Sequence, residues 1–158
     1  MPGSGKTALG QVLAEKVGMS FLDADSVLEA REGRSIKDFF AEGEECFRDA
    51  EERTAQYLST KDNCVIAAGG GAVKRAATME ALRASGKVIF IDRPPEAIVA
   101  DVDVQSRPLL AIGKERVFDL YNDRIELYHQ YADYAVPNTE GPKEVLAALI
   151  KTVEEVRA

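Results

Sequence analysis

Apolar residues along this chain follow two alternating rhythms. Ala8, Leu9, Val12, Leu13 and Val17 fall on one stripe of a helix predicted over Lys6 to Val17, with Gly18 placed to end it. Ser20 to Asp23 read as a short strand, followed by a helix over Ser26 to Glu32 and a break at Gly33. Ser35-Ile-Lys-Asp38 has the pattern of a capping box, Gly43 interrupts the helix it opens, and a longer helix runs from Glu44 to Ser59. Asn63 to Ala68, with Val65 and Ile66, read as a buried strand ending in Gly69-Gly70-Gly71. A helix over Ala76 to Ala84 precedes Lys87 to Asp92, the clearest strand in the chain. Pro94 and Pro95 lead into a helix over Glu96 to Asp101, and Val102 to Lys114 carry no regular pattern. A helix over Glu115 to Tyr131, a last strand at Tyr134 to Val136, and a helix carrying Val145, Leu146, Leu149, Ile150 and Val153 complete the order. Strands alternating with helices predict an α/β fold with a parallel sheet covered on both faces.

Composition narrows the class. The 158 residues are 46% apolar, enough for one domain with a real core, and no linker or repeat divides residues 1–158. A net charge of −7 argues against a nucleic-acid or anionic-membrane surface, though not against a small anion held locally. Cys46 and Cys64 are too few and too far apart for a disulfide framework or metal site and read as reduced thiols. There is no signal-peptide pattern and no run of about 18 apolar residues, so the reading is a cytoplasmic protein.

The chemistry starts at the first residues. Gly3-Ser4-Gly5-Lys6-Thr7, running directly into a helix, is the second half of a phosphate-binding loop. Glycines let backbone N–H groups converge on one anion, the helix N-terminus adds positive potential, the lysine adds a cation, and the threonine hydroxyl can hold Mg²⁺. The full pattern needs a glycine five residues before Gly5, so about ten further residues are expected before Met1, forming an apolar central strand ending in Gly-x-x. Asp23 and Asp25 lie at the carboxyl end of the first strand, where ligands of open α/β sheets collect. Such acids serve Mg²⁺ or orient an attacking hydroxyl, although Asp25 before a helix is equally a cap. The triple glycine either lets a ligand approach the backbone or acts as a hinge. Arg48 and Arg124, read alone, are ordinary helix-surface arginines, and Arg107 sits in the unpatterned stretch as a residue on a mobile lid (102–114) would. His129, the one histidine, reads as a surface or packing residue.

Together these segments resemble the shikimate kinases, small P-loop kinases with a three-layer α/β/α fold. The likeness runs through Gly3 to Thr7, Phe21-Leu-Asp-Ala-Asp25, Gly33-Arg-Ser-Ile-Lys-Asp-Phe-Phe, Gly43-Glu-Glu-Cys-Phe-Arg48, Gly69 to Val73, Arg107-Pro-Leu-Leu110 and Arg124-x-x-Leu-Tyr128. The resemblance implies ATP-dependent phosphorylation of the shikimate 3-hydroxyl in aromatic amino-acid biosynthesis, by a monomer. It implies that Gly3, Ser4, Gly5, Lys6, Thr7 and Ala8 hold the ATP phosphates, with Mg²⁺ on Thr7 and Asp23. Asp25 would bind and help deprotonate the substrate hydroxyl, Lys6 and Arg107 would neutralise transferring charge, and Arg48, Arg124, Gly70 and Gly71 would grip the substrate. Many relatives carry an adenine-stacking arginine seven residues before the Arg-Pro-Leu-Leu motif, where this chain has Ala100. The alternatives are another small-molecule kinase, such as a gluconate kinase, or a non-catalytic nucleotide-binding remnant.

Overall fold

The computed structural model describes residues 1–101 and 113–158. Arg107 and most of the 102–114 lid lie outside the described residues.

The first helix, α1 (Lys6–Val17), ends at Gly18, whose left-handed backbone turns its N–H back onto the carbonyls of the last turn. Leu9, Gly10, Leu13 and Ala14 form its buried side, while Val12 remains 40% exposed, so the stripe sits rotated from the one the large residues alone suggest. The reason is steric. A Cβ at Gly10 would lie 2.9 Å from the Phe21 ring, so the small residues mark where helix and sheet come closest.

The strand β1 (Ser20–Asp23) pairs in parallel with β2 (Cys64–Ala67), Phe21 opposite Val65 and Asp23 opposite Ala67. Likewise β3 (Ile89–Asp92) pairs in parallel with β4 (Tyr134–Pro137), Asp92 opposite Pro137. The strands are parallel as predicted, but among the described residues they form two pairs, with no ladder from β2 to β3. That split explains a second difference. In β2 only Ala67 is fully buried, and Cys64, Val65 and Ile66 are half-buried, where the apolar run predicts a strand covered throughout.

Three apolar clusters hold the elements. On one face α1 and α8 (Pro142–Arg157) pack Leu9, Leu13, Val145 and Leu149 against Val136, with Val65, Ile89 and Ile91 at the border. Strand alternation turns Phe90 to the other face. There it joins Met79 of α5 (Ala76–Ser85), Ile98 of α6 (Pro95–Asp101), and Val117, Leu120 and Tyr128 of α7 (Glu115–Tyr131). The third cluster joins α2 (Ala24–Glu32), α3 (Ile36–Glu42) and α4 (Glu44–Leu58) through Leu28, Phe39, Phe47 and Ala50. Ser35 caps α3 by accepting from the Asp38 N–H, as the capping-box pattern requires.

Leu28, 1% exposed, anchors that third cluster and so the helix that carries Arg48. Leu28→Ala is expected to lower the unfolding free energy in urea by about 2–5 kcal/mol. A loss under about 0.5 kcal/mol, the size of an ordinary surface substitution, would show that α4 is held by other contacts.

Candidate active site

The site lies at the carboxyl ends of the strands, where the phosphate loop, the glycine run and two buried arginines converge. Gly5, at φ 92°, takes a backbone conformation that L side chains rarely adopt, and it caps α1 with no side chain bonded to the helix end. The first-turn amides of a helix have no intrahelical acceptor, so this end is open to an anion. The Ser4 hydroxyl donates to the Met1 carbonyl at 2.9 Å, and Lys6 Nζ donates to the same oxygen at 2.6 Å. Ala8 is exposed on the first turn beside Thr7.

The Thr7 hydroxyl donates to Asp23 Oδ2 at 2.9 Å, joining the start of α1 to the end of β1. Asp23 Oδ1 accepts from the Ser26 N–H, so Asp23 is the cap of α2. Asp25, read as a possible cap, instead lies inside the first turn with its side chain reachable from solvent. Partial desolvation of its carboxyl, and then the negative charges of Asp23 and Glu51, push its pKa above the ordinary aspartate value, with Lys6 opposing.

Arg48 and Arg124 are not surface residues. They are 6% and 7% exposed. Arg48 Nη1 pairs with buried Glu51 at 2.6 Å, and Nη2 meets Glu44 at 3.2 Å. Its guanidinium packs on Gly71 and its partner Glu51 on Gly69, since a Cβ at Gly71 would sit 2.3 Å from Nη2 and one at Gly69 would sit 2.8 Å from Glu51 Oε1. At Gly69 and Gly71 the missing side chains leave room for the two charged groups. This clearance lets Arg48 and Glu51 reach the backbone.

Tyr128 connects the second arginine. Its hydroxyl donates to the Gly70 carbonyl at 2.5 Å, which turns that oxygen toward α7 and the Gly71 N–H the opposite way. Burial raises the Tyr128 pKa, while hydrogen bonding from Arg124 and the charges of Arg124 and Arg48 oppose the rise. The charges of both arginines thus act on one hydroxyl, which itself bonds the glycine run. Among the described residues no carboxylate pairs with Arg124.

A second set of ion pairs fixes this arrangement from outside. Arg75 bonds Glu45, Asp49 and Glu52 of α4, and Lys74 bonds Glu44, which tie the turn after the glycines to the helix bearing Arg48. His129 is exposed and meets the Phe90 ring edge-on at 5.3 Å, a packing role. Both cysteines are free thiols.

Residue-level reading of the sequence misses Glu51 and Tyr128. Each had a signal. Glu51 stands three positions after Arg48, and Tyr128 four after Arg124, the spacings at which helix side chains meet.

The shikimate kinase family model matches residues 2–154. A shikimate kinase of Clostridium botulinum (strain Eklund 17B / Type B) is 40% identical over 153 residues, covering 97% of this chain and 93% of that one. The structure of a shikimate kinase from Acinetobacter baumannii in complex with shikimate superposes with a TM-score of 0.86 at 32% identity, covering 98% and 87% of the two chains. One from Aquifex aeolicus superposes at 0.82 and 31% identity, covering 99% and 94%. The chain belongs to the shikimate kinase family.

Proposed function

We propose that this chain transfers the γ-phosphoryl group of ATP to the 3-hydroxyl of shikimate, as a single-domain cytoplasmic monomer. The observation that carries the reading is Arg124, a buried guanidinium with no carboxylate partner among the described residues, joined through Tyr128 to the glycine run on which Arg48 packs. A desolvated charge without a counter-ion costs several kcal/mol, roughly 3–5 when a pair is broken, and an incoming carboxylate removes that cost.

Arg124 and Arg48 then clamp the shikimate carboxylate, with Gly70 and Gly71 amides completing the grip. Asp25 accepts the hydroxyl proton as the oxygen attacks. Its raised pKa suits it to that task, because a stronger base takes the proton more readily. Gly3, Ser4, Gly5, Lys6, Thr7 and Ala8 hold the nucleotide phosphates, Lys6 neutralises charge that builds during transfer, and Arg107 supplies a second cation. Thr7 and Asp23, already in contact, have the hydroxyl and carboxylate oxygens that suit Mg²⁺, which would neutralise phosphate charge when bound with ATP. None of the described helices is long and apolar enough to cross a membrane.

Turnover with shikimate and Mg·ATP, followed as ADP release, tests the reading. Gluconate as the preferred acceptor, or no turnover with either, would select the rival kinase or the inert remnant. Size-exclusion chromatography with light scattering tests the monomer.

Lys6→Ala is expected to abolish turnover while leaving shikimate affinity, measured by calorimetry, nearly intact. A near-normal kcat would remove Lys6 from the chemistry.

Arg124→Ala should weaken shikimate binding about 10- to 100-fold, the value of a charge-assisted contact of about 1.5–3 kcal/mol. An analogue without the carboxylate should bind wild type and variant alike. If the analogue also loses affinity in the variant, Arg124 does not hold the carboxylate. Gly71→Ala should displace Arg48 and weaken shikimate similarly, through a Cβ that the guanidinium now occupies.

Asp25 makes a paired prediction about pH. Its folded pKa is raised, so folding favours the protonated form, and that contribution is fully present below the unfolded pKa and lost as pH rises through the folded one. Asp25→Asn should therefore lose kcat yet melt higher than wild type at neutral pH, the difference closing as pH falls below the ordinary aspartate range. An Asn variant that melts lower at neutral pH would contradict the raised Asp25 pKa.

A further inference from the structure

Two side chains outside the roles above grip the phosphate loop by its carbonyls. Arg93 follows the last residue of β3 and Asn138 follows the last residue of β4, and because Asp92 and Pro137 are register partners, the two stand at equivalent places on adjacent strands. The Asn138 N–H donates to the Asp92 carbonyl at 2.8 Å, which fixes their spacing. Arg93 Nη1 donates to the Gly3 carbonyl at 2.9 Å, and Asn138 Nδ2 donates to the Ser4 carbonyl at 3.2 Å.

We propose that Arg93 and Asn138 are positioning residues for nucleotide binding, which set the peptide planes of the phosphate loop; this rests on reading that loop as the ATP site. In a trans peptide the C=O and N–H point in opposite directions. Holding the Gly3 oxygen toward Arg93 sends the Ser4 N–H the other way, where it meets the Met1 carbonyl at 3.4 Å. Holding the Ser4 oxygen toward Asn138 directs the Gly5 N–H away from it, at the head of α1. A phosphate cradle needs successive N–H groups turned inward, and one carbonyl rotated inward would set a partial negative charge against the anion.

Arg93 is fixed at its other branch by Asp101. The nearby Asp92 carboxylate accepts from the Tyr121 hydroxyl at 3.1 Å, and so is engaged elsewhere. The Arg93 side chain, 20% exposed, thus bridges the loop and α6.

The test is calorimetric titration of Mg·ATP and, separately, of shikimate into wild type, Arg93→Ala, Asn138→Ala and Arg93→Lys, with KM for each substrate. Each alanine variant should weaken Mg·ATP about tenfold and raise the KM for ATP in step, with shikimate affinity within about twofold of wild type. Arg93→Lys, which keeps a donor on a long stem, should recover part of that loss. Equal losses for ATP and shikimate would mark general loosening and overturn the proposal, as would ATP affinity unchanged in both alanine variants. A wild type that binds no Mg·ATP overturns the kinase reading, whereas a wild type that binds it beside unaltered variants overturns this inference alone.

Discussion

The burial of two guanidinium groups at the mouth of the strands is the constraint on which the rest of the site depends. Arginine cannot shed its charge, so a desolvated guanidinium must find counter-charge or fixed dipoles. Arg48 finds Glu51 and Glu44, and Arg124 finds the Tyr128 oxygen. Those demands dictate glycine at 69 and 71, where any Cβ would strike the pair, and Tyr128 as the group that turns the Gly70 peptide. The outer ion pairs of Lys74 and Arg75 then hold α4 at the distance at which these contacts close.

Acidic residues divide the work by their surroundings. Glu51 is buried against Arg48 and serves as its counter-charge. Asp23 spends one oxygen on the cap of α2 and the other on Thr7, so its orientation is set before any nucleotide arrives. Asp25 has neither duty. Loss of water around its carboxyl, and then the charges of the other two, raise its pKa. Three carboxylates within one cleft thus have three different characters, each traceable to its nearest neighbours.

Much of this is legible in the chain itself, and the illegible part has a common cause. The limits of α1, β1 and α7 follow from glycine stops and periodicity, which act within a few residues. The phosphate loop and the arginine and glycine segments are visible as motifs. What escapes is set by approach across the fold. Val12 outranks Gly10 in hydrophobicity, yet the Phe21 ring decides which face is buried. Asp25 looks like a cap of the next helix until the fold shows that Asp23 precedes its first turn. Arg48 and Arg124 read as surface charges because nothing local reports that other elements cover them. The half-burial of β2 depends on what lies along its second edge, which its own apolar run does not encode.

The stripe of α7 has a consequence for how such a protein can change. Val117, Leu120, Arg124 and Tyr128 occupy one buried face of that helix, apolar in its first turns and polar in its last. With Arg124 in the proposed carboxylate clamp, fold and specificity share a single angular phase. A one-residue insertion between Leu120 and Arg124 turns everything beyond it by about 100° and carries both polar groups off the site while the apolar half stays seated. Drift toward a different acceptor molecule is confined to exchanges at fixed positions on this helix, and the more tolerant route of length variation is closed to it.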